Sequence, residues 1–397
     1  MFLASLLLAA SAAVTPAEMK ALYEEVKTPF KVGAVMRAEK GTMIDNPCVY
    51  RTDDGWRMMF IVYDGKGYET HLAKSDDLVH WTRLGLVLER GAAGSWDSAQ
   101  ADGGPALFST EWGGDNRMRK YRDWYWMTYI GGAKTGYETA PLSISVATAK
   151  DNSTADKWLR MTAHPVLSPE DPDARAFEDY ELFRSFVVQD PLRRLGKEFV
   201  MYYNAKRRSD RGESIGMAVS DDMLNWRRYG DGAVLTNGKP VPGERGIGLV
   251  GDPMLTKIGD TYVMFYFSAF YPTAQSPAHE TFAASKDLVN WTKWTGEPLV
   301  APGTTFDRNH AHKPWVIKHN GVVYHYYCAV GSQGRVVALA TSREIPGIGG
   351  ADDEECVCTP PPPPPSESRG SFGLNAYPYF EMVEVRGVEP LSEMEST

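Results

Sequence analysis

The chain has 397 residues, 43% hydrophobic, 12% aromatic and 23% charged, a balance that suits a globular protein with a sizeable buried core. Its formal net charge of −9 argues against nucleic acid or an anionic membrane surface as a partner. The sequence contains no run of about 18 apolar residues, which excludes a membrane-spanning helix.

The stretch Phe2-Leu3-Ala4-Ser5-Leu6-Leu7-Leu8-Ala9-Ala10 has the length of a signal-peptide core, and Ser11, Ala12 and Ala13 suit a signal peptidase. Residues 1–13 therefore read as a signal peptide, although no Lys or Arg precedes Lys20, and the protein reads as secreted or periplasmic. Ala17 to Val26 follows as a short helix and Thr28 to Val35 as a strand. Beyond them one phrase recurs: Ser75-Asp76-Asp77-Leu78-Val79-His80-Trp81, then Ser220-Asp221-Asp222-Met223-Leu224-Asn225-Trp226, then Ser285-Lys286-Asp287-Leu288-Val289-Asn290-Trp291. Weaker echoes stand at Ala147-Thr148-Ala149-Lys150-Asp151 and Ala340-Thr341-Ser342-Arg343. Self-similarity at a period of about sixty residues identifies a repeat architecture.

Each unit opens with a short strand, usually behind a proline, then turns into an aromatic-rich strand. Pro47-Cys48-Val49-Tyr50 leads through Thr52-Asp53-Asp54-Gly55 to Trp56–Tyr63, and Pro253-Met254-Leu255-Thr256 leads through Ile258-Gly259-Asp260 to Thr261–Phe267. Pro314-Trp315-Val316-Ile317 leads through His319-Asn320-Gly321 to Val322–Val330, while units two and three open at Pro105 and Ser185. β-branched and aromatic runs between Gly, Asp and Asn turns are hairpin signals. The third strand leads to the recurring phrase, and the fourth is a short Val-Leu segment such as Val87-Leu88. Five such units predict an all-β, five-bladed β-propeller of four-stranded antiparallel blades over residues 28–348. Residues 350–397, with Asp352 to Glu355 and the run Pro360 to Pro365, read as a disordered low-complexity tail. Cys48 and Cys328 read as buried thiols.

In such a blade the start of the innermost strand and the turn between strands two and three lie on one face. The residues before each opening proline thus ring a central funnel: Asp45 and Asn46, Asp102, Phe183 and Arg184, Asp252, His312 and Lys313. The turns add Glu69 and Glu138, in the identical words Gly-Tyr-Glu-Thr, together with Glu213 and Glu280. The connection Ser168 to Leu182 contributes Glu178, whose flanking Phe177 and Tyr180 would keep a carboxyl protonated. Trp96-Asp97 forms a comparable pair, with Trp96 able to stack on a sugar. Each feature also has a structural reading, as a strand-starting Asp, a ladder of turn glutamates or a solvated acidic loop. Asp190-Pro191 aligns with the opposite face and reads as structural.

The phrase and the acid-proline openings resemble the five-bladed propeller glycoside hydrolases, the superfamily of families 43, 32, 62 and 117, across about residues 40 to 345. The resemblance implies an Asp of blade one as general base, matched by Asp45. It also implies an Asp of blade two that adjusts a neighbour's pKa, matched by Asp102, and a Glu near blade three as acid. The opening Phe183-Arg184-Ser185 departs from that pattern, so Glu178 or Glu181 takes the last role. Asp252 completes the acidic set, Arg184, His312 and Lys313 bind substrate, and inversion is the implied stereochemistry. Only Met43-Ile44-Asp45-Asn46-Pro47 stands where family 32 has its signature, and the family 117 histidine acid keeps His310 and His312 as candidates. The expected substrate is a terminal sugar of a plant or algal oligo- or polysaccharide. No cofactor is required, no catalytic metal is expected, and a structural calcium ion is compatible with the acidic ring. Two other readings remain open: a phosphorylase using Arg184, Arg207, Arg208, Arg211 and Lys313 to hold phosphate, and a non-catalytic carbohydrate-binding propeller.

Overall fold

The computed structural model describes residues 13–238, 246–271, 276–332 and 334–346. The apolar leader up to residue 12 and the tail beyond 346 lie outside the described residues. Five antiparallel sheets form five blades, whose strands run in order from the inside outward. Blade one is Met43–Thr52, Gly55–Tyr63, Tyr68–Ser75 and Thr82–Leu88. Blade two is Gln100–Pro105, Tyr125–Gly132, Ser143–Ala149 and Leu159–Arg160. Blade three is Glu181–Gln189, Phe199–Lys206, Glu213–Ser220 and Arg227–Arg228, with Leu235–Thr236 also paired to its third strand. Blade four is Ile247–Ile258, Thr261–Tyr271, His279–Ser285 and Thr292–Lys293. Blade five is His310–His319, Val322–Gly331 and Gly334–Thr341, and its outer strand is the N-terminal Phe30–Arg37. The ring is thus closed by joining the two ends of the propeller, fastened by Lys31 against the buried carboxylate of Asp307.

The recurring phrase is a turn and a staple. The Ser75 hydroxyl accepts the N–H groups of Asp77 and Leu78, and Asp77 accepts those of Val79 and His80. The same bonds recur at Ser220–Asp222 and Ser285–Asp287. This wrapping holds Leu78, Met223 and Leu288 at φ of 71°, 67° and 70°. It also presents carbonyls to the neighbouring blade: Tyr326 donates to Leu78 O at 2.6 Å and Tyr202 to Leu288 O at 2.5 Å. The tryptophans of the phrase stand edge-on to those tyrosines, Trp81 to Tyr326 and Trp291 to Tyr202.

Two features prepare the functional face. A helix, Pro16–Val26, begins with a Thr15–Glu18 capping box and buries Met19, Leu22 and Val26, residues three and four apart. Its Glu25 binds Trp112 and Lys318 at the turns opposite the funnel. At the centre Trp315 meets Phe108 and Phe186 edge-on or tilted, and donates its indole N–H to Val49 O at 2.7 Å. These rings fill the channel and turn it into a funnel with a floor.

Removing one staple should be measurable. Tyr202→Phe leaves the buried carbonyl of Leu288 unsatisfied, so unfolding in urea should shift by about 1–2 kcal/mol at unchanged m-value. An unchanged midpoint would show that the tyrosine does not tie blades three and four together.

Candidate active site

The inner strands of four blades carry the same irregularity. Asp45 pairs with Ile61 but Cys48 with Met59, so Asn46-Pro47 together oppose a single residue. Equivalent two-for-one bulges fall at Phe183-Arg184, Asp252-Pro253 and Lys313-Pro314. Asn46, Asp252 and Lys313 each adopt a left-handed backbone, with φ of 55°, 55° and 61°. That conformation is strained before proline, at a cost on the order of 1–3 kcal/mol each, and it aims the side chain out of the ladder. Blade two has no bulge, and Asp102 pairs regularly with Ile130. The three aspartates therefore do not occupy equivalent positions, as the sequence spacing suggested. By register Asp252 aligns with Asn46 and Lys313, whereas Asp45 aligns with Gly251 and His312.

Two charge clusters result. In the first, Asp45 accepts Lys313 Nζ at 2.8 Å and a guanidinium N–H of Arg335 on the same carboxylate oxygen, and Asn46 N–H at 2.8 Å on the other. Burial would push its pKa up, but the charges of Lys313 and Arg335 hold it well below the usual carboxylate range. Asn46 bridges to Asp102 through Nδ2 at 2.6 Å. Asp102 is pushed up to about 6, chiefly by burial. Asp252 is pushed up to about 7 by burial, against the pull of Lys313 and Arg184. His312 is driven down to about 3 by burial, which leaves it a neutral ring with Nδ1 3.0 Å from Cys328 O. Arg184 lies over the Trp315 ring on the floor, with Nη2 at 3.4 Å from Cys48 Sγ and Nη1 buried without a partner.

The second cluster surrounds Lys206, the last residue of the second strand in blade three. Its Nζ is 3.3 Å from Glu181, 3.4 Å from Glu213 and 3.9 Å from Glu138. The register places Lys206 opposite both Glu181 and Glu213, and the Phe183 ring lies 4.6 Å from its ammonium. Burial opposes the charge of Lys206, yet the glutamates raise its pKa. Glu181 is pushed up to about 7, mainly by burial, despite Lys206. Asn204 Nδ2 orients Glu213 at 2.9 Å. The carboxylates of Glu138 and Glu213 remain 28% and 13% exposed, against 2% for Glu181.

Of the residues singled out from the sequence, Asp45, Asn46, Asp102, Asp252, Arg184, His312, Lys313, Glu138, Glu181 and Glu213 converge on the funnel. Glu178, Trp96, Asp97, Glu69 and Glu280 do not. Glu178 is fully buried but lacks the apolar surround expected of it: it binds Arg175 and Arg228 at 2.8 Å and the Tyr203 hydroxyl at 2.5 Å. Burial pushes its pKa up, but Arg175 and Tyr203 outweigh this and keep it ionised, which is wrong for a proton donor. Asp97 is held by Arg160 at 2.5 Å, and Trp96 stacks on Tyr129, so that pair fastens the connection to blade two. Glu69 pairs with Arg90 at 3.3 Å, and Glu280 is buried against His325 between blades four and five. Asp190 clamps Arg194 at 2.7 Å, as a structural residue should. Lys206, Arg335 and Asn204 were missed. A signal existed for Lys206, a charge closing the mostly apolar strand Phe199–Lys206, and for Arg335, a charge opening the apolar run Val336–Ala340 at the position Tyr68 holds in blade one.

Asp45, His312 and Cys328 bring ligand atoms within 4.8 Å of one another. They do not fit a cation, because Lys313 and Arg335 already supply positive charge to that carboxylate, and calcium needs about six to eight oxygens.

No protein-family model matches the chain. A solved structure described as a complex of BT0996 and RGII is 43% identical, covers 87% of this chain and 99% of its own, and superposes with a TM-score of 0.78. One described as "Glycoside hydrolase" is 43% identical over 89% of this chain and all of its own, again with a TM-score of 0.78. A thermostable family-43 glycoside hydrolase, 17% identical, covers 86% of this chain and 100% of its own with a TM-score of 0.54, a likeness of fold. The chain belongs to the glycoside hydrolases built on a five-bladed β-propeller.

The raised pKa of Asp252 gives a signed prediction. Between its ordinary value of 3.8 and its folded value of about 7, the folded chain holds a proton that the unfolded chain has released. Its stabilising contribution is therefore complete below pH 3.8 and lost as pH rises toward 7. Asp252→Asn removes this titration. Its stability relative to the parent should climb from pH 4 to pH 7 and level off above, measured by urea unfolding at each pH. A difference independent of pH would contradict the placement of Asp252 in a dry floor.

Proposed function

We propose that the protein is an exo-acting glycosidase that removes a terminal sugar from a plant or algal glycan, with Glu138 and Glu213 as the reacting carboxyls. The observation that carries this reading is the convergence of Glu138, Glu181 and Glu213 on one partly enclosed ammonium, that of Lys206. Glycoside cleavage needs one carboxyl to protonate the leaving oxygen and a second to attack or to activate water, at separations of roughly 5–10 Å. Two glutamates within 3.9 Å of one nitrogen suit that span. Their partial exposure lets substrate touch them, which the burial of Glu181 does not.

Glu213, aimed by Asn204 and Lys206, suits the attacking or base role. Glu138, whose nearest cation is 3.9 Å away, suits proton delivery to the leaving oxygen. Asp45 is ionised, but both its oxygens are committed to donors, so it acts by anchoring Lys313 and Arg335 rather than as the general base. Asp102, Asp252 and Arg184 line the depth where hydroxyls of the terminal sugar would bind. Trp315, Phe108 and Phe186 pack across the centre, so on this reading a terminal sugar enters from the funnel face and stops above these rings. The glycan complex named for the 43%-identical structure supports a carbohydrate substrate.

A panel of aryl glycosides tests the assignment. On the glycoside that is turned over, Glu138→Gln and Glu213→Gln should each lower kcat by at least about 100-fold. Glu178→Gln should leave kcat within about threefold while lowering the unfolding midpoint, because it breaks a buried ion pair. Near-full activity in either Glu138→Gln or Glu213→Gln would remove that residue from the chemistry.

A further inference from the structure

The hairpin closed by the Lys206–Glu213 pair continues as the turn 207–212, which stands at the funnel lip just beyond Glu181, Lys206 and Glu213. Three arginines occupy it. Arg207 is committed to Asp210, with Nη2 2.8 Å from the carboxylate. Arg208 and Arg211 form no ion pair with any described residue, since every carboxylate oxygen of those residues is more than 4.0 Å from their guanidinium nitrogens. The nearby Asp179 gives its carboxylate to the backbone N–H of Arg208 at 2.7 Å, and only its carbonyl to the guanidinium, at 3.0 Å. Both guanidinium groups lie on the Tyr180 ring, 5.2 and 3.5 Å from its centroid. Tyr180 is fixed in turn by its N–H to Lys206 O at 3.2 Å. Arg211 Nη1 is enclosed and has no partner.

Two cations stacked on one ring, without a counter-charge, run against the net charge of −9. Stacking holds a guanidinium flat and leaves its edge free, and that fork matches the plane of a carboxylate. We infer that Tyr180, Arg208 and Arg211 form a subsite for a carboxylate-bearing sugar, a uronate, on the leaving-group side of the cleaved bond. The inference rests on the reading of Glu138 and Glu213 as the reacting pair, because that pair defines which side of the bond the lip receives. The terminal sugar fills the funnel down to Arg184, so whatever emerges past Glu213 meets this turn. An attacking phosphate would need to sit between the glutamates, inside the row, and the lip arginines are outside it.

The test is calorimetric binding of trigalacturonic acid and of its methyl ester to the full chain, its Glu213→Gln variant, Arg208→Gln, and Arg208→Gln/Arg211→Gln. The acid should bind roughly tenfold or more tightly than the ester. The double variant should lose that preference and the single variant part of it. Glu213→Gln should keep the preference, and 0.5 M NaCl should erode it. Equal affinity for acid and ester, or a double variant that binds the acid as the parent does, would overturn the inference. So would displacement of the acid by inorganic phosphate together with phosphate-dependent turnover. Full hydrolytic activity in Glu213→Gln would instead overturn the assignment of the reacting pair, a separate readout from binding.

Discussion

The two-for-one bulge at the head of the inner strands governs the site. A regular strand alternates its side chains between the two faces of its blade, and in blade two such a strand brings Asp102 to the funnel. The extra residue breaks that alternation four times around the ring. In blades one, four and five it turns Asn46, Asp252 and Lys313 inward through a left-handed backbone. In blade three it accommodates Phe183 and Arg184, whose side chains lie beneath the Lys206 ammonium and over the Trp315 floor. Strain of this kind persists only where the surroundings over-determine it. Here the contacts of the bulged residues do so, Asn46 to Asp102 and Lys313 to Asp45 among them.

The electrostatics follow from that geometry. The floor cluster sets Lys313, Arg335 and Arg184 against three aspartates in a dry setting, and the pKa values spread apart: Asp45 falls while Asp102 and Asp252 rise. The rim cluster sets one ammonium among three glutamates, so charge is concentrated where substrate would react. Under the proposed function, separating a buried, polar floor from a partly open rim would let sugar recognition and bond cleavage use different residues. Asp45 then anchors the floor rather than reacts, since two cations and a backbone N–H already occupy its oxygens.

The fold was legible because it repeats. The Ser-x-Asp-x-x-x-Trp phrase marks one turn in each of blades one, three and four, and its hydrogen bonds are local, within three residues of each serine or aspartate. Asp190 was correctly set apart by counting from that phrase. The site was less legible, because its decisive contacts are non-local. Glu178 is held ionised by Arg175, three residues away, and by Tyr203 and Arg228, twenty-five and fifty positions away, and the sequence shows only the first of them. Asp252 stands directly before Pro253 and Asp45 two residues before Pro47, so they lie one register position apart, an offset already written in the sequence. Glu69, Glu138, Glu213 and Glu280 look alike in sequence, yet only Glu138 and Glu213 approach Lys206. Their partners, Arg90 and His325 for the other two, belong to different strands or blades. What sets Glu138 and Glu213 apart from Glu69 and Glu280 is the cation each approaches, Lys206 in place of Arg90 or His325.

The most direct measurement is chemical rescue by azide. In Glu213→Ala a cavity opens at the attacking carboxylate, and azide can enter it and act in its place. Azide should restore turnover of the active aryl glycoside to Glu213→Ala by at least about tenfold, with a glycosyl azide as product. It should do nothing for Asp45→Ala or Glu178→Ala. Rescue of Asp45→Ala with none in Glu213→Ala would contradict the account and return the chemistry to the funnel floor.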